Sequence, residues 1–259
     1  MTDPGGYRPG DAKPDWFVLG DELMWPLVGM GRATARAVGL PDGLRALPEL
    51  AVCHHAQCLS ASIHANGGGN HSAAVCLIRQ SIEALTVFEV GLQGVEFSQP
   101  LLTRWSDGKA SHGELRQALE RTVWPTYGRG LWEEPWEEFH ANLARAVQKY
   151  AHYTPELQGW QFVTLDHDGA GRALVTFGLE TQDPLKMTRI ALLHMLLTWM
   201  LGRILLAHGE SVDALERRAS ITLLGQTLGC SKLLHQRGEW WAQLAPGMFF
   251  KPGHNWRDT

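Results

Sequence analysis

The chain is short of several features that would mark a class. Four cysteines in 259 residues do not make a disulfide framework, which excludes a small oxidised scaffold and fits a reducing compartment. No apolar run reaches the roughly 18 residues needed to span a bilayer; the nearest, Ile190 to Leu206, is interrupted by His194, Thr198 and Arg203. The first residues, Met1 to Pro14, are rich in glycine, proline and charge and hold no apolar signal core. A cytoplasmic location is therefore expected, with no membrane partner. Positive charge is scarce: 23 Lys and Arg stand against 27 Asp and Glu, a formal net charge of −4. That excludes a strongly basic nucleic-acid-binding domain and leaves room for a local basic groove. The familiar catalytic signatures are missing too. There is no Gly-x-x-x-x-Gly-Lys-Ser/Thr loop, no dinucleotide fingerprint after a strand, no Gly-x-Ser-x-Gly elbow and no internal repeat. No cofactor is implied.

What is present is a folded chain, 44% hydrophobic and 19% charged, with 11 Trp and 12 His. Trp is costly to leave in water, so many of these rings should anchor a core or an interface. The expected organisation is a flexible arm over 1–20, one helical-bundle domain over 21–245 and an irregular tail over 246–259. The fold class read from the pattern is mainly α, a helical bundle with one inserted antiparallel β-hairpin at about 160–179.

The pattern predicts a helix from Asp21 to Val38, weakened by Pro26 and glycines, and a linker from Gly39 to Pro48. A long helix from Pro48 to Ala65 should stop at Gly67-Gly68-Gly69, which permits a tight reversal. Asn70 or Ser72 then caps a helix ending near Gly94. That second helix is apolar almost all round, so it belongs at the centre of the bundle. A short helix is expected over Leu115–Thr122, after a loop containing Trp105 to Lys109, and another from Pro135 to Ala151. The four carboxylates Glu133, Glu134, Glu137 and Glu138 suit the positive end of that helix dipole. WQFVTLD and ALVTFGLE, separated by HDGAGR, read as the hairpin. Helices over Leu185–Ala207, Val212–Leu228 and Ser231–Leu244 follow.

Two constellations carry possible chemistry. Arg79 and Glu83 are four apart on the central helix and share a face among Val75, Ile78, Ile82 and Leu85. The pair reads either as an internal ion pair that fixes helix register or as the lining of a polar site. In LARAVQKYAHYTP, Arg145 and His152 lie seven apart, nearly two helical turns, opposite the apolar stripe Trp136, Phe139, Leu143, Val147 and Tyr150. They are expected to face solvent, a groove or a second subunit. His152 also reads as a cationic cap on a helix C-terminus.

This Arg, six residues, His arrangement resembles the HEPN superfamily of helical-bundle proteins. In that family two protomers pair the motif across a dimer interface, and many members are metal-independent ribonucleases. The resemblance implies a homodimeric endoribonuclease of toxin or phage-defence type acting on RNA. His152 would be its acid/base, Arg145 its phosphate clamp and Tyr150 a further catalytic group, with Lys149 and Tyr153 binding substrate. Cleavage through the 2′-hydroxyl needs a proton carrier near neutral pH and positive charge on the phosphate, which His and Arg supply. Ala146 stands where HEPN ribonucleases have a polar residue after the Arg. The chain also resembles uncharacterised bacterial helical proteins with an Arg-x-x-x-Glu helix followed by Tyr-x-His, here Arg79/Glu83 and Tyr150/His152.

Two alternatives stay open. The first is a non-enzymatic interaction module presenting the Trp-rich Trp124–Trp136 segment to a protein partner. The second is a metal-binding bundle using Glu137 and His140, the Glu-x-x-His spacing of di-iron bundles, of which the sequence holds a single copy. Cys53, His54, His55 and Cys58 resemble a ligand cluster, but on a helix only His54 and Cys58 share a face. The Asp166-His167-Asp168-Gly169 run reads as turn chemistry.

Overall fold

A computed structural model describes residues 14–148, 150, 152, 154–167, 173–177, 183–209 and 212–230. The protein is mainly α. Its helices are α1 Asp15–Ala37, α2 Asp42–Gly67, α3 His71–Leu92, α4 Val95–Ser106, α5 His112–Thr122, α6 Trp136–Gln148, α7 Pro155–Gln158, α8 Pro184–His208 and α9 Val212–Gly229. A 3₁₀ turn covers Trp124–Thr126.

α1 begins at Asp15, six residues before the expected start, with that aspartate in its first turn and Arg36 in its last. Two of its three glycines, Gly20 and Gly31, sit at close helix contacts. A Cβ on Gly20 would overlap the Met195 side chain of α8, and one on Gly31 would lie 3.1 Å from Val52 and 3.2 Å from Phe88. α2 begins at Asp42, so most of the expected 39–48 linker is helical and Pro48 lies inside the helix. The lost backbone donor is tolerated where Pro48 meets α3: a Cβ on Gly91 would overlap the proline ring.

The turn between α2 and α3 follows the glycines. Gly69 takes φ +78°, Asn70 N–H donates to Ala65 O at 2.8 Å, and the Asn70 side chain accepts from Ala73 N–H at 3.3 Å. α3 and α8 are the most enclosed helices, as helices apolar on nearly every side must be. Phe88, Ile78, Leu196 and Ile204 have no exposed surface. By length and composition alone α8 is apolar enough to cross a bilayer, contrary to the reading of its interrupted sequence; 83% of the apolar window is buried inside the bundle.

α4 was not foreseen. It starts after Gly94, at φ +85°, and places Leu102 and Ser98 in the interior. α5 is set by a capping box. The Ser111 hydroxyl accepts from Glu114 N–H at 3.2 Å, and the Glu114 carboxylate accepts from Ser111 N–H at 2.8 Å. Between α7 and α8 lie two strand segments, β1 Phe162–His167 and β2 Ala173–Phe177, in antiparallel register. The residues joining them, Asp168 among them, fall outside the described residues. So do the N-terminal 1–13, all of the expected Ser231–Leu244 helix and the 246–259 tail.

Candidate functional site

α6 is oriented by its apolar stripe. Trp136, Phe139, Leu143 and Val147 are 2% exposed or less, which turns Arg145 and Gln148 outward. There they meet α5 and α3. A cleft of about 210 Å³ is lined by Arg79, Glu83 and Thr86 of α3, His112 and Arg116 of α5, and Gln148 of α6, among others. A second cleft of about 160 Å³ is lined by Arg116, Glu120, Trp124, Ala141, Arg145 and Gln148. Arg116 and Gln148 belong to both, so the two clefts adjoin.

Arg79 and Glu83 form an ion pair at 2.7 Å, each side chain about 30% exposed. The pair lies on α3 and lines the first cleft. Arg145 donates to the Asn142 side chain at 2.9 Å. Arg116 Nε and His112 Nδ1 are buried and have no hydrogen-bond partner among the described residues. His112 sits edge-on to Trp105, 5.7 Å between ring centres.

Beneath the second cleft lies a buried polar cluster. Trp124 N–H donates to the Glu89 carboxyl at 3.0 Å. The Tyr127 hydroxyl lies 2.7 Å from His208 Nε2. Gln93 Nε2 is 2.7 Å from the same His208 nitrogen. Burial pushes Glu89 up to about 7, against the Trp124 hydrogen bond that favours its charge. Burial and the neighbouring Glu89 push the Tyr127 phenol up, and burial pushes His208 down.

The Arg145 and His152 motif falls at the end of α6. Arg145 and His152 are both exposed, but α6 ends at Gln148, short of the expected Ala151. Helical register therefore does not carry the face of Arg145 to His152, and His152 lines neither cleft. Tyr150 is a core residue, 3% exposed, edge-on to Trp160 and accepting the Cys76 thiol on its carbonyl at 3.5 Å. That enclosure places its side chain in the core, away from solvent. Lys149 and Tyr153 lie outside the described residues.

In the Trp-rich segment two of the three Trp rings are enclosed, and Trp132 is partly exposed. Trp124 and Trp136 are 1% and 0% exposed; Trp124 stacks on His140 at 4.1 Å, and Arg203 lies over Trp136 at 5.0 Å. The same packing answers the metal reading. His140 is enclosed by aromatic rings and held down at about 3 by burial, with a further push from Arg116. Among the described residues no group of three or more His, Cys, Asp or Glu is placed to hold a metal. His54 and Cys58 do share a face, 3.4 Å apart. His55 turns inward to the Ser81 hydroxyl at 2.6 Å. His194 likewise meets Ser62 at 2.7 Å, so several histidines are polar cross-links between packed helices.

His112, Arg116, Glu89 and Tyr127 were missed in the sequence. The first two had a readable signal. The Ser111-His-Gly-Glu114 capping box starts α5 at His112 and so puts His112 and Arg116 one turn apart on one face. No family model, curated protein or solved structure matches the chain.

Proposed function

We propose that this is a HEPN-like helical protein acting on RNA as a metal-independent endoribonuclease of toxin or phage-defence type, in the cytoplasm and as a homodimer. One observation carries the reading: Arg145 and Arg116, from different helices, open onto one cleft while the chain as a whole is acidic. A local excess of guanidinium is what a phosphodiester needs. In this reading the RNA 2′-hydroxyl attacks phosphorus and the 5′-oxygen leaves. His152 exchanges the proton and Arg145 stabilises the charge on the phosphate. A second copy supplies the paired motif, and Lys149 and Tyr153 contact the strand. The β-hairpin at about 160–179 is an insertion in the bundle, and 21–245 is one domain.

The test is cleavage of end-labelled RNA in EDTA, beside host growth on induction, for wild type, Arg145→Ala and His152→Ala at matched levels. Cleavage and growth arrest by the wild type alone are expected. Equal cleavage by all three would refute the assignment of these residues.

The interaction-module reading keeps one observation in its favour, on a different surface. Trp25 is 57% exposed on α1 and Val18, two turns earlier, 40%, an apolar pair on one helix face.

A further inference from the structure

We infer that the paired clefts between α3, α5 and α6 form a phosphate-binding site in which Arg116 is the central ligand and His112 its second; for its natural ligand, a single RNA strand, this rests on the reading above. Arg116 is the charged residue common to both clefts. Its Nε and the His112 Nδ1 are buried and without a hydrogen-bond partner among the described residues, and a buried polar atom left without a partner is unfavourable until a ligand supplies one. The two residues stand one helical turn apart on α5, so they reach toward one ligand rather than two.

The ligand class follows from the charges that face the clefts. Glu83 is already neutralised by Arg79 at 2.7 Å. Glu120 faces the second cleft, against Arg116 and Arg145. That leaves an excess of guanidinium, whose planar fork matches two oxygens of one phosphate. The N-terminus of α5 is not part of the claim, because Ser111 and Glu114 occupy it. The larger cleft, about 210 Å³, has room for a phosphate and adjoining sugar. The junction at Arg116 and Gln148 lets a strand continue toward Arg145. Recognition of this kind follows the backbone rather than the bases, and it weakens with salt.

The experiment uses the full chain carrying His152→Ala, so that RNA is not consumed. Binding of a labelled single-stranded RNA of about 12 nucleotides is read by fluorescence anisotropy, and binding of inorganic phosphate by calorimetry. Arg116→Ala is expected to weaken both about tenfold or more. Arg116→Lys, which keeps charge but loses the fork, should weaken them by about threefold or more. His112→Ala should weaken phosphate binding, and Arg121→Ala, on an exposed turn of α5 outside the clefts, should leave both unchanged. If Arg116→Ala fails to fold by circular dichroism, Arg116→Lys and His112→Ala carry the comparison. Phosphate binding that depends on Arg116, with no RNA binding by any variant, would support the site and remove the RNA reading. RNA and phosphate binding indifferent to Arg116 and His112 would overturn the site and leave the RNA reading standing. No phosphate binding by the parent would also overturn it.

Discussion

Replacing Glu89 by Gln should make the protein more stable, and increasingly so as pH rises. Glu89 is 1% exposed, and burial raises its folded-state pKa from 4.5 to about 7. Between those two values the folded chain holds a proton that the unfolded chain gives up. Stability is therefore fully present at low pH and is lost as pH rises toward and through 7. At about 1.4 kcal/mol for each tenfold difference in proton affinity, the loss is capped at about 3 kcal/mol. About 2–3 kcal/mol of it falls between pH 5 and pH 8. Glutamine keeps the volume and can still accept from Trp124, but it does not ionise.

Urea melts of both proteins, followed by circular dichroism at pH 5, 6, 7 and 8, measure the difference directly. Subtraction is needed because the buried histidines slope the other way. His55 and His71 are held down at about 4 and His194 at about 3. Their stabilisation is present above about 6.5 and is lost as pH falls toward those values. The Gln variant shares them, so they cancel. A stability difference that stays constant from pH 5 to 8 would refute the claim that Glu89 carries a raised proton affinity in the fold.

Other perturbations have equally definite outcomes. Ser111→Ala removes the N-cap of α5 and should lower stability by about 1 kcal/mol in a urea melt; an unchanged midpoint would mean that the capping box adds nothing. Gly91→Ala places a methyl where the Pro48 ring lies and should cost about 1–3 kcal/mol, read as a lower Tm. Breaking the Arg79–Glu83 pair with Glu83→Gln should change stability by less than about 1 kcal/mol, since both side chains are about 30% exposed and water screens them. A larger effect would make the pair a fold determinant.

Much of the bundle was readable because local signals and packing agreed. The Gly67-Gly68-Gly69 stop, the Asn70 cap and the apolar run of α3 all point to one helical hairpin, and the structure has it. The stripe Trp136, Phe139, Leu143, Val147 and Tyr150 is buried throughout, although α6 itself ends at Gln148. A residue can keep its place in the core after the helix that predicted it has stopped, and beyond Gln148 helical register no longer relates His152 to Arg145. The missed elements are those in which a local signal points away from the outcome. Pro48 and the α1 glycines read as breaks, and α4 carries Pro100 inside a helix of low apolar content.

The sequence by itself determined which segments are apolar on one face or on all, where the main reversal falls, and that the fold is mainly α. These are properties of neighbours along the chain. Only the tertiary structure decided that Pro48 would lie inside a helix, because that depends on Gly91 of another helix leaving room for its ring. It alone brought Arg116 beside Arg145, and it alone enclosed Glu89 with Trp124, 35 residues away. A guanidinium or carboxyl takes its chemistry from the charges and solvent around it, and those are set by contacts distant in sequence.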